Sequence, residues 1–166
     1  MSSIRIELEG DTKELIKKLE GMSQMDKRGI LNAMAESVRT STTDRFNEQT
    51  DPDGKKWKPS VRVLTDGGKT LTQTGQLRNS INTKVTDDGF VVGTNDIRAA
   101  THQFGDRRTI RPKNKKVLRF VVGGREYFTK KADVTIPARP FLGINKSDEE
   151  ELIGTLEDYF EEQIND

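Results

Sequence analysis

The sequence predicts an α+β fold in which N-terminal helices and a C-terminal helix pack on a small, mostly antiparallel sheet of hairpins. Three observations lead to this prediction. Apolar residues recur at helical spacing near both ends of the chain, they alternate with polar residues in short segments between, and turn residues such as Gly123-Gly124 divide those segments. The sequence does not show the repeated alternation of helix and buried strand that is typical of a doubly wound parallel sheet.

The first fifty residues predict one strand and two helices. Residues 4–8 alternate apolar and charged side chains, as a half-buried edge strand does. Asp11 can cap a short amphipathic helix, and Ser23 or Asp26 can open a longer helix that runs to about Gln49. The apolar face of this main core helix is expected to hold Ile30, Leu31, Met34, Ala35, Val38 and Phe46.

The segment at about 50–70 predicts a long polar loop, because its turn residues and prolines interrupt both the helical and the strand pattern. We expect Trp57 to anchor this loop. Thr74 can then cap a short helix in which Leu77 and Ile81 lie on one face.

The middle of the chain predicts two hairpins with a short helix between them. Residues 83–94 form the first hairpin, and residues 117–129 form a clearer one, since its paired glycines accept the positive φ values of tight hairpin turns. Asp96 can start the short helix, which Gly105 ends. The inward side chains expected from these segments are Val85, Phe90, Val92, Ile97, Ala100 and Phe104.

The C-terminal part predicts an extended segment followed by a helix. Pro137 and Pro140 impose the extended path. Ser147 and Glu150 have the spacing of a capping box that opens the final helix. The side chains expected to pack inward are Ile136, Phe141 and Leu142 in the extended segment and Leu152, Ile153, Leu156, Phe160 and Ile164 in the helix.

Length and composition indicate a single domain over residues 1–166, with a polar loop at about 50–70 and a basic loop at about 105–116. The chain has no cysteine, which excludes disulfides and thiolate metal sites. Its N-terminus does not have the order of a signal peptide, and no apolar run approaches the ~20 residues that span a bilayer. We therefore expect folding in the cytoplasm and no membrane partner.

Charge is segregated along the chain, although the net charge is only +1. Residues 147–166 hold nine acids and no Lys or Arg, so the rest of the chain carries +10. A basic run precedes the second hairpin and consists of Arg107, Arg108, Arg111, Lys113, Lys115 and Lys116. Nucleic-acid phosphates, the acidic helix of a neighbouring copy or solvent counterions could neutralise it, and the residues leave these three alternatives open.

Two segments resemble ligand-binding loops but depart from their patterns. Gly67-Gly-Lys-Thr70 resembles the end of a phosphate-binding loop, yet Val63 occupies the position of the first required glycine. Asp51-Pro-Asp-Gly54 resembles the start of a calcium loop, whose twelfth position requires a bidentate Glu and is Arg62 here. We interpret both segments as ordinary polar turns.

His102 is the only histidine, so no site can contain two imidazoles. In its sequence setting we expect Phe104 to pack inward, while His102 and Gln103 bond locally. No serine lies in a nucleophile-elbow sequence, and the acid pairs fall at turns. We accordingly expect no catalytic residue, no metal, no cofactor and no enzyme activity.

Three short motifs follow one another in the chain: Leu71-Thr-Gln-Thr-Gly-Gln-Leu-Arg-Asn-Ser-Ile81, His102-Gln-Phe-Gly105 and Ile136-Pro-Ala-Arg-Pro-Phe-Leu142. Arg45-Phe46-Asn-Glu-Gln49 and Trp57-Lys-Pro59 precede them. The ordered set resembles the phage virion morphogenesis family, the tail-completion proteins of Mu-like phages and their prophage relatives. The resemblance runs from about Arg45 to Leu142.

This resemblance implies a structural virion protein that acts in tail completion and head–tail joining, as a ring subunit at the neck. The implied partners are further copies of the chain and other phage neck, tail-tube or connector proteins. Non-specific contact with the phage genome is an additional alternative that the basic run leaves open. The implied location is the tail or neck of a virion assembled in the cytoplasm of a bacterial host. The alternative function is a non-specific nucleic-acid-binding accessory protein.

Two of the motifs suggest interface positions. Gly75 can let a helix start approach another backbone closely, Leu77 can anchor that helix, and Arg78 points to its opposite face. Arg139 and Phe141 lie between or beside prolines in what could be a rigid docking arm. An ordinary buried turn and a simple crossover segment are the structural alternatives for the two motifs.

Overall fold

The longest helix, α1 (Lys27–Glu48), is the element against which much of the core packs. The computed structural model describes residues 4–6 and 27–165, with side chains described from 27 to 161. The predicted apolar face of α1 is confirmed, because all six of its expected core side chains are buried. The short helix predicted after Asp11 and the predicted openings at Ser23 or Asp26 lie outside the described residues.

The other described helices are α2 (Val61–Asp66), α3 (Gln76–Asn79), α4 (Ala99–Phe104) and α5 (Lys146–Asn165). The strands are β1 (Ile4–Ile6), β2 (Ile81–Thr86), β3 (Gly89–Thr94), β4 (Asp106–Ile110), β5 (Leu118–Val122), β6 (Arg125–Thr129) and β7 (Ala132–Ile136). None of the described helices combines the length and apolar composition that a membrane crossing requires.

The strands form small antiparallel sheets, which confirms the α+β class. In the first sheet β3 lies between β1 and β2. The strands β4 and β7 pair as a second sheet, and β5 and β6 pair as a third. The prediction of one small sheet therefore needs a correction: over residues 4–6 and 27–165 the strands divide among three sheets.

Both predicted hairpins are present. The turn between β2 and β3 follows Thr86, and Val85 pairs with Phe90. The turn between β5 and β6 contains Gly123 at φ 54° and Gly124 at φ 76°, the left-handed values that paired glycines accept without strain. Val92 is fully in the core, whereas Phe90 packs at its edge and Val85 is half-buried.

The core lies where α1 meets β2, β3 and α5. Its largest fully buried apolar side chains are Phe46, Phe141 and Ile30. Trp57 is 6% exposed, in agreement with its predicted role as the anchor of the segment at about 50–70. That segment was predicted to be a loop, but it contains the short helix α2. The hydroxyl of Ser60 caps α2 by accepting from the Val63 N–H at 3.3 Å.

The predicted inward face of α4 is wrong. Ile97 is 76% exposed and Phe104 is 69% exposed, while Ala99 and Gln103 are buried. The helix begins at Ala99, so Ile97 precedes it and is not part of its face. The buried amide of Gln103 fixes the phase of the helix, because its hydrogen bonds to another segment require it to point inward.

The predicted capping box of the last helix is also wrong by two residues. Asn145 Oδ1 accepts from the Asp148 N–H at 2.8 Å, and Asp148 Oδ2 accepts from the Asn145 N–H at 2.9 Å. This reciprocal pair is the capping box of α5. Leu152 and Leu156 are buried as predicted and Phe160 packs at the core edge, but Ile153 is 53% exposed. The side chain of Ile164 lies outside the described side chains.

Two further differences concern local geometry. The strand β4 occupies the first half of the segment expected to be a basic loop, because residues 106–110 pair with β7. Gly75, with φ 69°, is the N-cap residue of α3. The hydroxyl of Thr74 accepts only a long hydrogen bond of 3.4 Å from the Gln76 N–H. A Cβ at Gly75 would meet only ordinary contacts, so its positive φ, not a close backbone approach, explains the glycine.

Candidate functional site

The arginine of the Arg45-Phe46 motif forms a buried ion pair with Asp148 at the start of α5. Both residues are 4% exposed. Arg45 Nη1 also donates to the carbonyl oxygens of Phe141 at 3.0 Å and Gly143 at 2.7 Å. Ser41 donates a hydrogen bond to the second carboxylate oxygen of Asp148. One side chain of α1 therefore holds both the third motif and the first turn of α5.

Aromatic side chains from three motifs meet beside this ion pair. Phe46 packs edge-on against Trp57, with ring centroids 5.4 Å apart, and against Phe141 at 5.1 Å. The indole Nε1 of Trp57 donates to the carbonyl oxygen of Pro140 at 2.9 Å. Aromatic contacts of this geometry add to the burial of apolar area.

The side-chain amide of Gln103 binds the backbone of the third motif. Its Oε1 accepts from the backbone N–H groups of Phe141 at 3.0 Å and Leu142 at 3.1 Å, and its Nε2 donates to the Leu142 carbonyl oxygen at 2.8 Å. These bonds satisfy backbone groups that would otherwise be buried without partners. The expectation that Gln103 bonds locally is therefore wrong.

Gly105 completes this contact by having no side chain. A Cβ at this position would lie 2.9 Å from Ala138 N and from the Ile136 carbonyl oxygen, and the residue has φ 76°. The close approach of the second motif to the third thus requires glycine. The carbonyl oxygen of His102 accepts from the Arg139 N–H at 2.7 Å in the same region.

We call this set of contacts the motif junction, defined by Arg45, Phe46, Gln49, Trp57, Gln103, Gly105, Arg139, Phe141 and Asp148. Its remaining members also bond across the chain. Arg139 Nε donates to the Lys58 carbonyl oxygen at 2.7 Å. Gln49 binds the backbone of Thr70, accepting at 2.5 Å and donating at 3.0 Å. The sequence motifs therefore converge in space to hold the chain together.

The residues predicted at a subunit interface divide into two groups. Leu77, Arg139 and Phe141 are 5%, 5% and 0% exposed, so in this conformation another chain cannot reach them. Their contacts belong to the core and the motif junction. Gly75 and Arg78 are half-buried, and Arg78 Nη1 donates to Asn47 Oδ1 at 3.3 Å.

The basic run is exposed at every one of its six positions. Its first part lies on β4 and the rest on the segment that leads to β5. Arg108 Nε contacts Asp106 Oδ2 at 2.8 Å, which neutralises one of these cations within the chain. The others form a positive surface segment, which we call the basic segment (residues 107–116).

One acidic residue of α5 differs from the others in its burial. Asp148 is buried in the motif junction, whereas the side chains of Glu149, Glu150, Glu151 and Glu157 are exposed. The negative surface of α5 therefore begins one residue after its structural anchor.

A polar pocket of about 220 Å³ lies beside the second motif, and its walls include Arg62, Thr74, Arg98 and His102. Both arginines already have partners, since Arg62 donates to the Lys69 carbonyl oxygen at 2.6 Å and Arg98 pairs with Asp96. Burial lowers the pKa of His102 below its ordinary value, and the charges of Arg139 and Arg98 lower it further.

The chemistry available in this pocket is limited. Among the described residues, His102 Nδ1 is buried without a hydrogen-bond partner, so this nitrogen lacks the carboxylate contact that would orient the ring of a general base. Over the described part of the chain, no group of three or more His, Asp or Glu side chains has an arrangement that could bind a metal ion. The pocket thus supports no catalytic assignment.

Sequence reasoning missed two members of the motif junction. Asp148 stands in a row of acids, and nothing local distinguishes it from its neighbours; the spacing of Asn145 and Asp148 was the available signal for its capping role. Gln103 was identified only as part of the second motif. Its partners are 38 and 39 residues away in the sequence, so periodicity could not reveal them.

Comparison with known proteins gives a family and two relatives. The model of the phage virion morphogenesis family matches residues 8–161. The "Putative capsid assembly protein G" of Escherichia phage Mu is 28% identical over 138 residues, covering 78% of this chain and 76% of the relative. The "Mu-like prophage FluMu G protein 2" of Haemophilus influenzae is 28% identical over 160 residues, covering 95% and 96%.

No solved structure matches the chain. The family match nevertheless covers most of the sequence and includes every member of the motif junction. The resemblance noted from the motifs is thereby confirmed, and the chain belongs to the phage virion morphogenesis family.

Proposed function

We propose that this protein is a structural virion component that acts in tail completion and head–tail joining, as a ring subunit at the neck of a tailed phage or prophage. The family supports a role in phage assembly. The observation that supports a structural role within it is the motif junction: the side chains that carry the family resemblance are used to fix the chain's own shape. Such a role needs no catalytic turnover.

A ring subunit needs different surfaces that fit one another, and weak contacts become strong when they are repeated around a ring. The basic segment and the exposed acids of α5 are two such surfaces of opposite charge. We propose that the basic segment of one copy faces the acidic helix of the next, and that remaining cations face the DNA passage. Gly75 and Arg78 stay proposed contact positions at the edge of this arrangement.

The direct test is deletion of the gene from its phage or prophage, followed by electron microscopy of the particles. We expect completed heads and tails to accumulate separately, and expression of the protein in trans to restore joined particles. Joined, infectious particles in its absence would contradict the proposal. Malformed heads together with normal free tails would instead indicate a role in capsid assembly.

The position at the neck can be tested separately because the chain has no cysteine. Asp87 lies exposed at a hairpin turn, so an Asp87→Cys variant offers a single thiol for a maleimide-gold label. We expect label at the head–tail junction of complementing particles. Label along the tail or over the head surface would contradict this location.

A second candidate function is non-specific nucleic-acid binding, which the exposure of the basic segment favours. Backbone phosphate contact requires only placed cations and gives a steep dependence on salt. A gel shift by the monomer that weakens steeply with salt, and weakens further in a Lys113→Ser/Lys115→Ser/Lys116→Ser variant, would support this function. The matched control is Lys55→Ser/Lys56→Ser/Lys58→Ser, which removes the same number of exposed cations from another segment.

A further inference from the structure

The hairpin of β5 and β6 carries an unusual amount of exposed apolar surface. Of its side chains, Val121 is 56% exposed and Phe128 is 61% exposed on one face. Phe120 is 42% and Tyr127 is 45% exposed on the other, where their rings stack at 5.6 Å. Scattered exposed apolar residues are common, but apolar side chains that are neighbours on one exposed face indicate an interaction site. Val121 and Phe128 are diagonal neighbours on their face, and we call that face the hairpin surface.

Little in the described chain covers this hairpin. It forms a two-stranded sheet of its own, and its main described neighbour is the short helix α2 near the turn. A two-stranded hairpin is at best marginally stable in water without further packing. Its charged residues are mostly cations: Arg119 pairs with Glu126, while Arg125 and Lys130 are exposed. A partner should therefore offer apolar contact surrounded by negative charge.

The exposed side of α5 offers that combination. Glu150, Gly154 and Glu157 are neighbours on one face of the helix because they are three or four residues apart, and Ile153 lies beside them with 53% exposure. We call these four residues the acidic strip. Lys146 Nζ lies 3.8 Å from Glu150 Oε1, a long contact between exposed side chains, while the Glu157 carboxylate is exposed as well. The strip thus keeps a negative charge around one apolar side chain, which complements the hairpin surface in both polarity and charge.

Gly154 provides an independent observation. Glycine in a helix interior is unfavourable relative to alanine. The described chain gives no packing reason for it, since a Cβ at Gly154 would meet nothing within 4 Å, and its helical backbone requires no positive φ. A glycine that leaves open space on an exposed helix face lets an outside backbone or ring approach closely.

We propose that the hairpin surface of one copy docks on the acidic strip of a second copy, so that copies join head to tail. This inference rests on the proposed function and refines its ring contact. The basic segment leads directly into β5, so the basic segment and the hairpin surface would face α5 of the same neighbouring copy. Head-to-tail contacts between two different patches close into a ring when the rotation between copies allows it.

The test uses purified full-length protein and measures its mass by light scattering at low salt over a range of concentrations. The hairpin variant is Val121→Thr/Phe128→Thr, which keeps residues that favour strands. The strip variant is Glu150→Lys/Ile153→Ser. We expect the wild-type chain to associate. The dissociation constant of each variant should be higher by a factor of about ten or more. An equimolar mixture of the two variants should form a one-to-one heterodimer, since each retains the half that the other lacks.

Matched controls separate this contact from general changes of the surface. Ile97→Ser removes an apolar side chain that is 76% exposed just before α4, and Glu151→Lys reverses an exposed acid outside the acidic strip. Both should leave association unchanged. Gly154→Ala should weaken association while raising the melting temperature of the monomer, an opposite pair of effects that simple misfolding cannot produce.

Three outcomes would overturn the inference. They are a monomeric wild-type chain at every concentration, a strip variant that still dimerises through its hairpins, and variants that do not pair when mixed. Cross-linking with a short bismaleimide distinguishes geometries. A Lys130→Cys/Asp158→Cys protein places thiols at exposed positions beside the two surfaces and should give a ladder. A product that stops at the dimer would overturn the head-to-tail arrangement. Deletion phenotypes are independent of these results, so the proposed function can stand when this contact fails.

Discussion

At the scale of single residues, the role of a side chain depends on partners far away in the sequence. Asp148 looks like one of nine acids, yet it is buried beside Arg45, which is 103 residues away. A buried charge needs a partner and hydrogen bonds to offset its lost hydration, and the motif junction supplies both. The sequence could show that Arg45 and Phe46 belong to a motif, but only the packing shows which acid pairs with the arginine.

Asp148→Asn should destabilise the protein strongly. The change leaves the buried Arg45 guanidinium without its counter-charge, which costs about 3–5 kcal/mol in comparable buried pairs. Urea unfolding followed by circular dichroism measures the loss. Glu149→Gln alters the exposed neighbour and should stay within about 0.5 kcal/mol of wild type. Equal effects of the two changes would show that the ion pair does not anchor α5.

His102 should make stability fall as the pH drops from 7 to 5. Its pKa in the folded chain lies below the ordinary value of 6.5, chiefly because of burial. Well above pH 6.5 the ring is neutral in both the folded and the unfolded state and contributes nothing to the pH dependence. Below that value the unfolded chain binds the proton more readily, so the folded state loses relative stability until its own pKa is reached.

Melting temperatures of wild type and His102→Gln over this pH range check the prediction. The decrease between pH 7 and pH 5 should be smaller in the variant, because glutamine does not titrate. The pKa values of Asp96 and Asp133 are lowered by hydrogen bonds from Arg98 and Thr109 respectively, so those carboxylates act at lower pH. Parallel curves for the two proteins would contradict the assignment.

At the scale of elements, the sequence was sufficient to predict those helices and hairpins whose own residues carry the pattern. The helix α1 and both hairpins were predicted because their apolar spacing or paired glycines specify them directly. The strand β4 was missed because its residues are polar and mostly exposed, so no alternation distinguishes it from a loop. Its pairing with β7, which lies beyond a whole hairpin in the sequence, is what makes it a strand.

The face of α4 shows the same limit in another form. Exposed Ile97 and Phe104 would be inward residues by any hydrophobic pattern. The polar Gln103 is buried instead because it satisfies the backbone of the third motif. A single polar contact of this kind outweighs the apolar pattern, since leaving several buried backbone groups unpaired would cost more.

Gly105→Ala should separate α4 from the third motif. The new Cβ would lie 2.9 Å from two backbone atoms and would force alanine into φ 76°, so we expect a loss of about 2 kcal/mol or more. Thermal unfolding measures it. Gly54→Ala is the matched control, because Gly54 has φ 78° but open space around its Cβ and should show only the smaller conformational cost. A loss no greater than in the control would mean that this approach is not tight.

At the scale of the whole molecule, the described chain separates an interior of motif contacts from an exterior of segregated charge. The family and the α+β class could be predicted from sequence, because the motifs keep their order along the chain. The structural use of those motifs could not be predicted, since their convergence depends on contacts such as that of Arg45 with Phe141, which are 96 residues apart. Predicted interface residues such as Phe141 proved to be interior for this reason.

Assembly of the purified protein should depend on salt if opposite charges join its copies. Screening shortens the range of exposed charges from ~10 Å at 0.1 M ionic strength to ~3 Å at 1 M. We expect the mass of the associated species to fall toward that of the monomer as NaCl increases over this range. Sodium sulfate at matched ionic strength is a useful comparison, because it strengthens apolar contacts while it screens charge. An oligomer indifferent to both salts would argue against charged contacts.

Within the part of the chain that the structure describes, the outer edges of the β5–β6 hairpin have no partner strand, which has a consequence for the protein before it assembles. Bare strand edges beside aromatic side chains are templates for misdirected stacking of newly made chains. Arg125 within the hairpin and Lys130 just after it repel identical hairpins, as flanking charges do in many aggregation-resistant proteins. The same cations would thus keep the subunits dispersed during synthesis and later guide them to an acidic surface.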